Sequence, residues 1–328
     1  MSHEDDWKQA SPARIDTALQ HALGKGAGGW FVLDASSRVG HALQRFEVAG
    51  RELVAWRGPS GLLVAPAACP HMGADLSCGS TRDGKVVCPW HGLALGEERH
   101  GAWAPLRTHE DGILSWVQIP GIEPLTDVPV HPSRPTHHIA GVIRTDVRCE
   151  PQDILANRLD PWHGVHFHPH SFARLRVLEE SPESILLRVS YRIAGRVAME
   201  VDATFDCPSR RVIVMTIVRG EGEGSLVETH ATPIDDKRCA VIEAASDDLP
   251  PRARVGGGAV VEPEIVETFA EEDEIDEGEA ADGGTWIGDA AEFISDARAV
   301  IETDERAGAA WGSLLGVLRD LSAQKGDA

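Results

Sequence analysis

The spacing of hydrophobic and polar positions predicts a short helix near the start of the chain. Residues 11–23 place Ile15 and Leu19 on one apolar helix face, between positions that are mostly polar or small. Ser11 suits the N-cap of this helix, and Pro12 suits its first position. We therefore predict a helix here that packs its apolar face on the rest of the protein.

After this helix the pattern changes to short hydrophobic runs of the kind that form β-strands. Glycine, proline and serine separate the runs, as they do at tight turns. The clearest runs are Trp30–Leu33, Leu53–Trp56 and Leu62–Ala65. They predict a small antiparallel β-domain over residues 30–120, preceded by a helical extension over residues 1–29.

Proline marks the boundary between this domain and a second one. Five prolines between positions 120 and 135, with no hydrophobic period, indicate an extended and fairly stiff linker over residues 121–135. The second domain then covers residues 136–328. Its strand patterns predict a long antiparallel sheet from these runs: Ile139–Cys149, Leu175–Glu179, Ile185–Ile193, Val197–Phe205, Val212–Arg219, Leu226–Thr232 and Ala240–Ala244.

Two helical patterns accompany the predicted sheet. Glu150 and Pro151 suit the N-cap and first position of a helix that contains Ile154 and Leu159. A second helical period covers Trp286–Leu321. The predicted fold class is therefore α+β, with an all-β first domain and an antiparallel sheet with helices in the second.

Length and charge narrow the classes of function. A chain of 328 residues has room for about two domains, and its formal net charge of −21 disfavours nucleic acids and anionic membranes as partners. The sequence has no apolar run long enough to span a membrane, and its first residues do not resemble a signal peptide. Six cysteines are too few for a disulfide framework in a chain of this length. We expect a soluble, cytoplasmic protein.

Two short segments of the first domain have the residue types of a metal site. Cys69-Pro70-His71 and Cys88-Pro89-Trp90-His91-Gly92 each place one thiol and one imidazole in a tight loop. Two cysteines on one iron and two histidines on the other are the ligand set of a Rieske 2Fe-2S centre. A tetrahedral zinc site is the alternative, although zinc fingers usually pair cysteine with cysteine and histidine with histidine. Cys69, His71, Cys88 and His91 are therefore predicted to bind a Rieske cluster.

A segment of the second domain has another set of candidate ligands. Asn157, Asp160 and His163 are spaced by three, so on a helix their side chains would lie near one another, although Pro161 must kink or restart that helix. His163 and His168 can reach one ion where a helix gives way to a loop. A carboxylate from elsewhere would complete the two-histidine, one-carboxylate set of non-haem iron oxygenases.

The spacing of this segment leaves alternatives open. The histidines could simply be exposed or line a pocket, and Asp160 could be an N-cap before Pro161. Two further histidines compete with His168 for the ligand role, namely His166 and His170.

Together these segments make the chain resemble the Rieske non-haem iron oxygenases. The stretch from Cys69 to Gly79 is similar to the family's first cluster loop, and the stretch from Cys88 to Gly92 is similar to its second. The pattern Asn-x-x-Asp-x-x-His-x-x-x-x-His over Asn157–His168 matches the family's iron motif. Trp90 stands where respiratory Rieske subunits have an extra cysteine, and Met72 stands where many relatives have arginine. The resemblance therefore favours an oxygenase over a respiratory subunit.

The resemblance implies a helix-grip (START-like) second domain that holds a mononuclear Fe(II). His163, His168 and Asp296 would bind this iron. Asp160, with Asn157 close by, would link the cluster edge of one subunit to His163 of the next. The other carboxylates in the C-terminal helical segment that are candidates for the third ligand are Asp289, Glu292 and Glu302.

The expected function is that of a terminal oxygenase component. Electrons from NAD(P)H would come through a separate reductase or ferredoxin, because the sequence has no dinucleotide-binding glycine motif. The enzyme would use dioxygen to hydroxylate, demethylate or desaturate a hydrophobic small molecule such as an aromatic, steroid or terpenoid. Electron transfer between subunits implies a head-to-tail homotrimer, which is a closed ring.

Two other functions compete with this interpretation. One is a Rieske-type electron-transfer protein, and the other is a ligand-binding module without mononuclear-iron catalysis. Asp160, His163 and His168 argue against both. The acidic segment 262–282 is either a lid over the pocket or an unstructured insertion.

Overall fold

The computed structural model describes residues 11–136, 138–160, 172–194, 197–248 and 265–267. Within these ranges no helix is long and apolar enough to cross a membrane. The predicted C-terminal helix and most of the acidic segment lie outside the described residues.

The first element is helix α1, Pro12–Leu23, which confirms the predicted helix. The Ser11 hydroxyl accepts a hydrogen bond from the backbone N–H of Arg14 at 3.4 Å, as an N-cap residue does. Ala18 and Ala22 are buried in the main core of the second domain, and Ile15 and Leu19 on the same helix face pack against that core. The N-terminal extension therefore packs on the second domain.

The first domain is built from nine short strands. They are β1 (Trp30–Ala35), β2 (Gln44–Val48), β3 (Arg51–Gly58), β4 (Gly61–Pro66), β5 (Ser80–Arg82), β6 (Lys85–Val87), β7 (Ala94–Leu95), β8 (Arg107–Glu110) and β9 (Leu114–Gln118). They form three antiparallel sheets in the orders β1-β9-β8, β2-β3-β4 and β5-β6-β7. The runs predicted from the sequence lie within β1, β3 and β4.

The second domain is built around one large sheet. Its elements are β10 (His138–Val147), α2 (Pro151–Leu159), β11 (Phe172–Glu180), β12 (Ser184–Ala194), β13 (Val197–Ser209), β14 (Val212–Arg219), β15 (Leu226–Pro233), β16 (Cys239–Asp248) and β17 (Ile265–Glu267). The strand order is β11-β12-β13-β14-β15-β16-β10-β17. All described pairings are antiparallel except that of β10 with β17, which is parallel. The predicted antiparallel sheet is confirmed, and β17 adds one parallel pairing at its edge.

Strand β17 also bears on the acidic segment. It lies at the start of residues 262–282 and pairs with Ala140–Val142. An unstructured insertion does not describe these three residues, because their backbone is hydrogen-bonded in a sheet.

Both faces of the large sheet are covered at its central strands. Alternate residues of β16 point to opposite faces. Cys239 and Val241 belong to a core that includes residues of α1 and α2, so we name their side the helix face. Ala240 and Ile242 pack against β1 and β9, so we name the other side the domain face. The sheet is therefore a middle layer between helices and the first domain.

A group of buried charges joins the two domains across the domain face. Arg134 contacts Asp111, which lies between β8 and β9, at 2.7 Å, and it also pairs with Glu228 of β15. His230 lies 2.9 Å from the same Glu228 carboxylate, and the Trp116 ring meets the His230 ring edge-on at 5.0 Å. The ion-paired side chains are at most 10% exposed. Arg134 thus anchors the proline-rich segment to both domains.

The pKa values of the two carboxylates depend on this arginine. Burial alone would raise the pKa of Asp111 and of Glu228. Arg134 and backbone N–H groups lower the pKa of Asp111 instead, and His230 followed by Arg134 lowers that of Glu228. A group whose pKa is lowered in the folded state stabilises the fold above its unfolded pKa. That stabilisation is lost as the pH falls through the folded value. The network therefore contributes fully at neutral pH.

We expect Arg134→Leu to destabilise the protein by about 3–5 kcal/mol at neutral pH, because it leaves two buried carboxylates without their cation. Urea unfolding of the full chain would measure this loss. Arg107→Leu is the matched control, since Arg107 is 54% exposed and its partner Asp127 is 98% exposed. The difference between wild type and Arg134→Leu should shrink below about pH 4, where carboxylates protonate. Equal stability of the two arginine variants would contradict a structural role for the network.

Candidate metal centres

The first cysteine-histidine loop is a closed turn with a glycine at its end. The Cys69 carbonyl accepts a hydrogen bond from the N–H of Gly73 at 2.8 Å, and the Cys69 N–H donates to the Ala74 carbonyl at 2.8 Å. Gly73 has a φ of 76°, a conformation that favours glycine. The turn fixes the backbone of all the residues between Cys69 and Ala74.

The second loop repeats the same turn. The Cys88 carbonyl accepts from the N–H of Gly92 at 3.0 Å, the Cys88 N–H donates to the Leu93 carbonyl at 2.9 Å, and Gly92 has a φ of 71°. The histidine follows its cysteine by two positions in the first loop and by three in the second. The two turns are similar, but the histidine occupies a different position in each.

The two loops bring the four predicted cluster ligands together. The side chains of Cys69 and Cys88 are buried and interact with each other, whereas His71 and His91 are exposed. The two imidazole rings lie edge to face with their centroids 4.9 Å apart. Paired thiols inside and paired imidazoles outside fit a cluster that takes two cysteines on one iron and two histidines on the other. That these residues bind a cluster stays a prediction.

Backbone N–H groups surround both sulfurs. Burial raises the pKa of the Cys69 thiol, and the adjacent Cys88 raises it further. Burial acts in the same direction on Cys88, but hydrogen bonds from two backbone N–H groups of its own loop oppose it, and the pKa of Cys88 is lowered. Such N–H groups stabilise the thiolate, which is the form that binds metal.

Close packing holds the two loops in place. Trp56, Leu76 and Trp103 belong to the same buried core as the two cysteines. A Cβ atom on Gly79 would lie 2.3 Å from the carbonyl oxygen of Val87, so only glycine fits there without backbone movement. Because Val87 directly precedes the second cysteine, this contact sets how closely the two loops approach.

A charged contact that the sequence analysis missed supports the first loop. Asp75 accepts hydrogen bonds from the backbone N–H and the hydroxyl of Ser77 at 2.9 and 2.6 Å, and Arg45 of β2 donates to it at 2.5 Å. The Ser77 hydroxyl and Arg45 lower the pKa of Asp75 against the opposing effect of burial. Thirty positions separate Arg45 from Asp75, and no local pattern reveals such a pair.

Helix α2 leads towards the second candidate site. Its buried residues Ile154, Leu155 and Leu159 pack in the core of the helix face. The helix ends at Leu159, and Asp160 is its C-cap with a ψ of 90°, a conformation typical of a residue before proline. The helix therefore ends just before Pro161, where the sequence predicted a kink or restart. Whether Asp160 also caps a helix that begins at Pro161 lies outside the described residues.

The predicted iron ligands are not among the described residues. His163, His168 and Asp296 all lie outside them. The competing residues also lie outside, and these are His166, His170, Asp289, Glu292 and Glu302. Asn157 and Asp160 are described, and both are partly buried. Their assignment to an iron site stays a prediction.

Comparisons with known proteins identify related families. Residues 29–116 match the Rieske [2Fe-2S] domain, and residues 120–254 match a domain of unknown function named DUF5914. The vanillate O-demethylase oxygenase subunit of Pseudomonas sp. (strain HR199) is 37% identical over 188 residues, which cover 51% of this chain and 49% of the relative. The aminopyrrolnitrin oxygenase of Pseudomonas fluorescens is 33% identical over 91 residues, 27% of this chain and 25% of the relative. The chain thus spans about half the length, or less, of these curated relatives.

Solved structures show a similar fold. Dicamba monooxygenase bound to dicamba aligns with a TM-score of 0.52 and 18% identity over 67% of this chain and 77% of that chain. The oxygenase in an oxygenase–ferredoxin complex of carbazole 1,9a-dioxygenase aligns with a TM-score of 0.50 and 12% identity, over 76% of this chain and 77% of that chain. Identities this low support a common fold only.

The identity of the cluster ligands can be tested by exchanging each histidine. His71→Cys or His91→Cys should abolish the Rieske signal in electron paramagnetic resonance, leaving a signal of the all-cysteine type or none, because the Rieske spectrum depends on imidazole bound to one iron. His100→Cys is the control, since His100 is a partly buried histidine of the same domain outside both loops. An unchanged spectrum in either loop variant would remove that histidine from the ligand set.

Proposed function

Because this chain has a Rieske 2Fe-2S domain and is homologous to Rieske non-haem iron oxygenases, we propose that it is the terminal oxygenase component of a Rieske-type system. The match to the Rieske [2Fe-2S] domain and the similarity to two oxygenases support the family and enzyme class predicted from the sequence. The proposed cofactors are a 2Fe-2S cluster and a mononuclear non-haem iron. The reaction of this particular chain, its substrate and its partners are our proposals.

One observation carries the proposal. The chain combines paired loops, with thiols inside and imidazoles outside, with a large sheet whose helix α2 ends at the start of the iron motif. A Rieske electron carrier needs only the first of these features. When bound, the cluster would supply electrons and the iron would supply open positions where dioxygen is activated.

The residues have distinct roles in this proposal. Cys69 and Cys88 hold one side of the cluster within the core of the first domain, and His71 and His91 present its other side at the surface. His163, His168 and Asp296 are proposed to hold Fe(II). Asp160, near Asn157 at the end of α2, is proposed to accept N–H groups of two imidazoles, one from each site, and so to orient both rings.

The surface next to the cluster loops suits an electron-donor protein. Met72 and Trp90, each adjacent to a cluster histidine, are 62% and 61% exposed. Large exposed apolar side chains are characteristic of protein contacts. We propose that a ferredoxin or an NAD(P)H-dependent reductase delivers electrons here, and a ferredoxin is part of the carbazole 1,9a-dioxygenase complex that shares this fold.

The proposed assembly is a head-to-tail homotrimer in which the cluster of one subunit serves the iron of the next. A ring of this kind closes without leaving an unpaired interface. We place the protein in the cytoplasm, because a reducing compartment keeps the thiols of Cys69 and Cys88 available for iron.

The proposed substrate is a hydrophobic small molecule, and an aromatic compound is favoured over a steroid or terpenoid. Two curated relatives are vanillate O-demethylase oxygenase subunits, and a structural neighbour is dicamba monooxygenase. The names of these relatives make aromatic methyl ethers the first compounds to test, with hydroxylation and desaturation as the other possible outcomes.

Iron content tests the function directly. The purified protein should hold about three irons per chain, two in the cluster and one mononuclear. Asp296→Ala should lose the mononuclear iron and keep the cluster, because the two sites lie in different domains. If Asp289→Ala has this effect and Asp296→Ala does not, the assignment of Asp296 as the third iron ligand is wrong. An iron content of about two per wild-type chain would instead favour a Rieske electron carrier or a ligand-binding module.

The role of Asp160 needs a separate measurement. Asp160→Asn keeps the size of the side chain but removes the charge, so we expect both metal sites to stay loaded. The cluster-to-iron electron transfer rate, followed after rapid mixing of reduced protein with dioxygen, should fall by orders of magnitude. Asn157→Ala is a neighbouring comparison that leaves the carboxylate in place. Near-normal electron transfer in Asp160→Asn would contradict the proposed link between subunits.

A further inference from the structure

The last turn of α2 is tied to the large sheet by an ion pair. Arg158 reaches from the helix to Glu243 of β16 on the helix face, and the hydroxyl of Thr229 in β15 donates a hydrogen bond to the same carboxylate at 3.1 Å. The side chains of Arg158 and Glu243 are 27% and 17% exposed. The contact therefore lies between the helix and the sheet, with only a small part open to water.

This pair differs in kind from the other contacts of α2. Ile154, Leu155 and Leu159 hold the helix against the sheet through apolar burial, which has little directional preference. A charged hydrogen bond fixes direction and distance. Glu243 is itself held by Thr229 and by its register opposite Ile143. The ion pair is therefore a directed contact that helps to set where the end of this nine-residue helix lies.

Stability alone does not account for such a pair. Burial lowers the pKa of Arg158 to about 10, which reflects the loss of water around its charge, yet the side chain stays charged at neutral pH. Partly buried ion pairs often contribute little net stability compared with apolar residues of the same size. The Arg158–Glu243 ion pair is therefore better explained by a need to fix the position of the end of α2.

The backbone connects this pair to the residues of the proposed iron motif. Arg158 lies between Asn157 and Leu159, and the N–H of Asp160 donates to the Asn157 carbonyl at 3.2 Å. A shift of the last turn of α2 would move Asn157 and Asp160 together. A shift of Arg158 would thus move the backbone that carries the Asp160 carboxylate.

We propose that Arg158 and Glu243 are positioning residues that hold the C-terminal end of α2 so that Asp160 can align the two metal sites. This inference rests on the proposed oxygenase function, because it gives Asp160 its role. Neither residue touches a metal site in the proposal. They act through the helix end.

The test compares variants of the full chain loaded with both metals. Arg158→Gln and Glu243→Gln each leave one charge without its partner, and the double variant removes both charges. Arg158→Lys keeps the charge and serves as the conservative variant. Arg219→Gln is the control, because Arg219 lies in the same sheet but its side chain is 74% exposed.

Three measurements are made on each variant. Hydrogen exchange of the α2 amides reports the position and opening of the helix end. Metal analysis reports loading. The rate at which the reduced cluster is reoxidised after rapid mixing with dioxygen reports electron transfer, and dioxygen is the only probe added.

We expect each single glutamine variant to slow reoxidation by about tenfold or more and to speed exchange at the end of α2, with both metals still bound. The double variant should be less impaired than either single variant, since no charge is left unpaired, and Arg158→Lys should recover part of the rate. The control should match wild type.

Two outcomes overturn the inference. Three irons per chain with an unchanged reoxidation rate in Arg158→Gln would refute the positioning role while leaving the oxygenase function intact. About two irons in the wild type would refute the oxygenase function, and the positioning role would fall with it. If a variant loses stability but keeps the wild-type reoxidation rate, the positioning role is also refuted. A pair with only a structural role would give that result.

Discussion

The central strands of the large sheet carry apolar side chains on both faces, and the rest of the structure depends on both faces being covered there. If either face were exposed, these apolar side chains would be in contact with water. Here α1 and α2 cover one face, and β1 and β9 of the first domain cover the other. The first domain is therefore part of the second domain's packing as well as the carrier of the cysteine-histidine loops.

Apolar packing leaves the relative positions of the packed parts only loosely defined, and ion pairs then fix these positions. On the domain face, Arg134 bridges carboxylates of both domains, and on the helix face Arg158 reaches Glu243. In each case an arginine from a connecting segment or a helix end meets a carboxylate on the sheet. Apolar layers bring the parts together, and these directed contacts set their relative positions.

The sequence predicted the parts of the molecule whose pattern is local. Strand β14 has the predicted bounds, Val212–Arg219, because its eight residues are long enough to display a strand pattern. The paired loops were equally accessible, because cysteine, histidine and glycine recur at short spacing. Pro161 likewise indicated a break after α2, because proline disfavours helix in the residue before it, and the helix ends at Leu159.

The parts that sequence analysis missed depend on distant positions. Arg45 with Asp75, and Arg134 with Asp111 and Glu228, are ion pairs between residues far apart in the chain. The spacing of hydrophobic and polar residues along the chain does not reveal such long-range ion pairs. Strands such as β7, with two residues, are too short to show alternation, and their existence follows from neighbours that pair with them.

The bridging arginine has a consequence for protein engineering. A chimera could combine the first domain of one protein with the second domain of a relative and treat the connecting segment as a passive spacer. In this chain the segment contributes Arg134, whose partners lie one in each domain. A graft that exchanged only residues 30–120 would separate Asp111 from the arginine that pairs with it. Modular exchange therefore requires Asp111, Arg134 and Glu228 to be transferred as one unit.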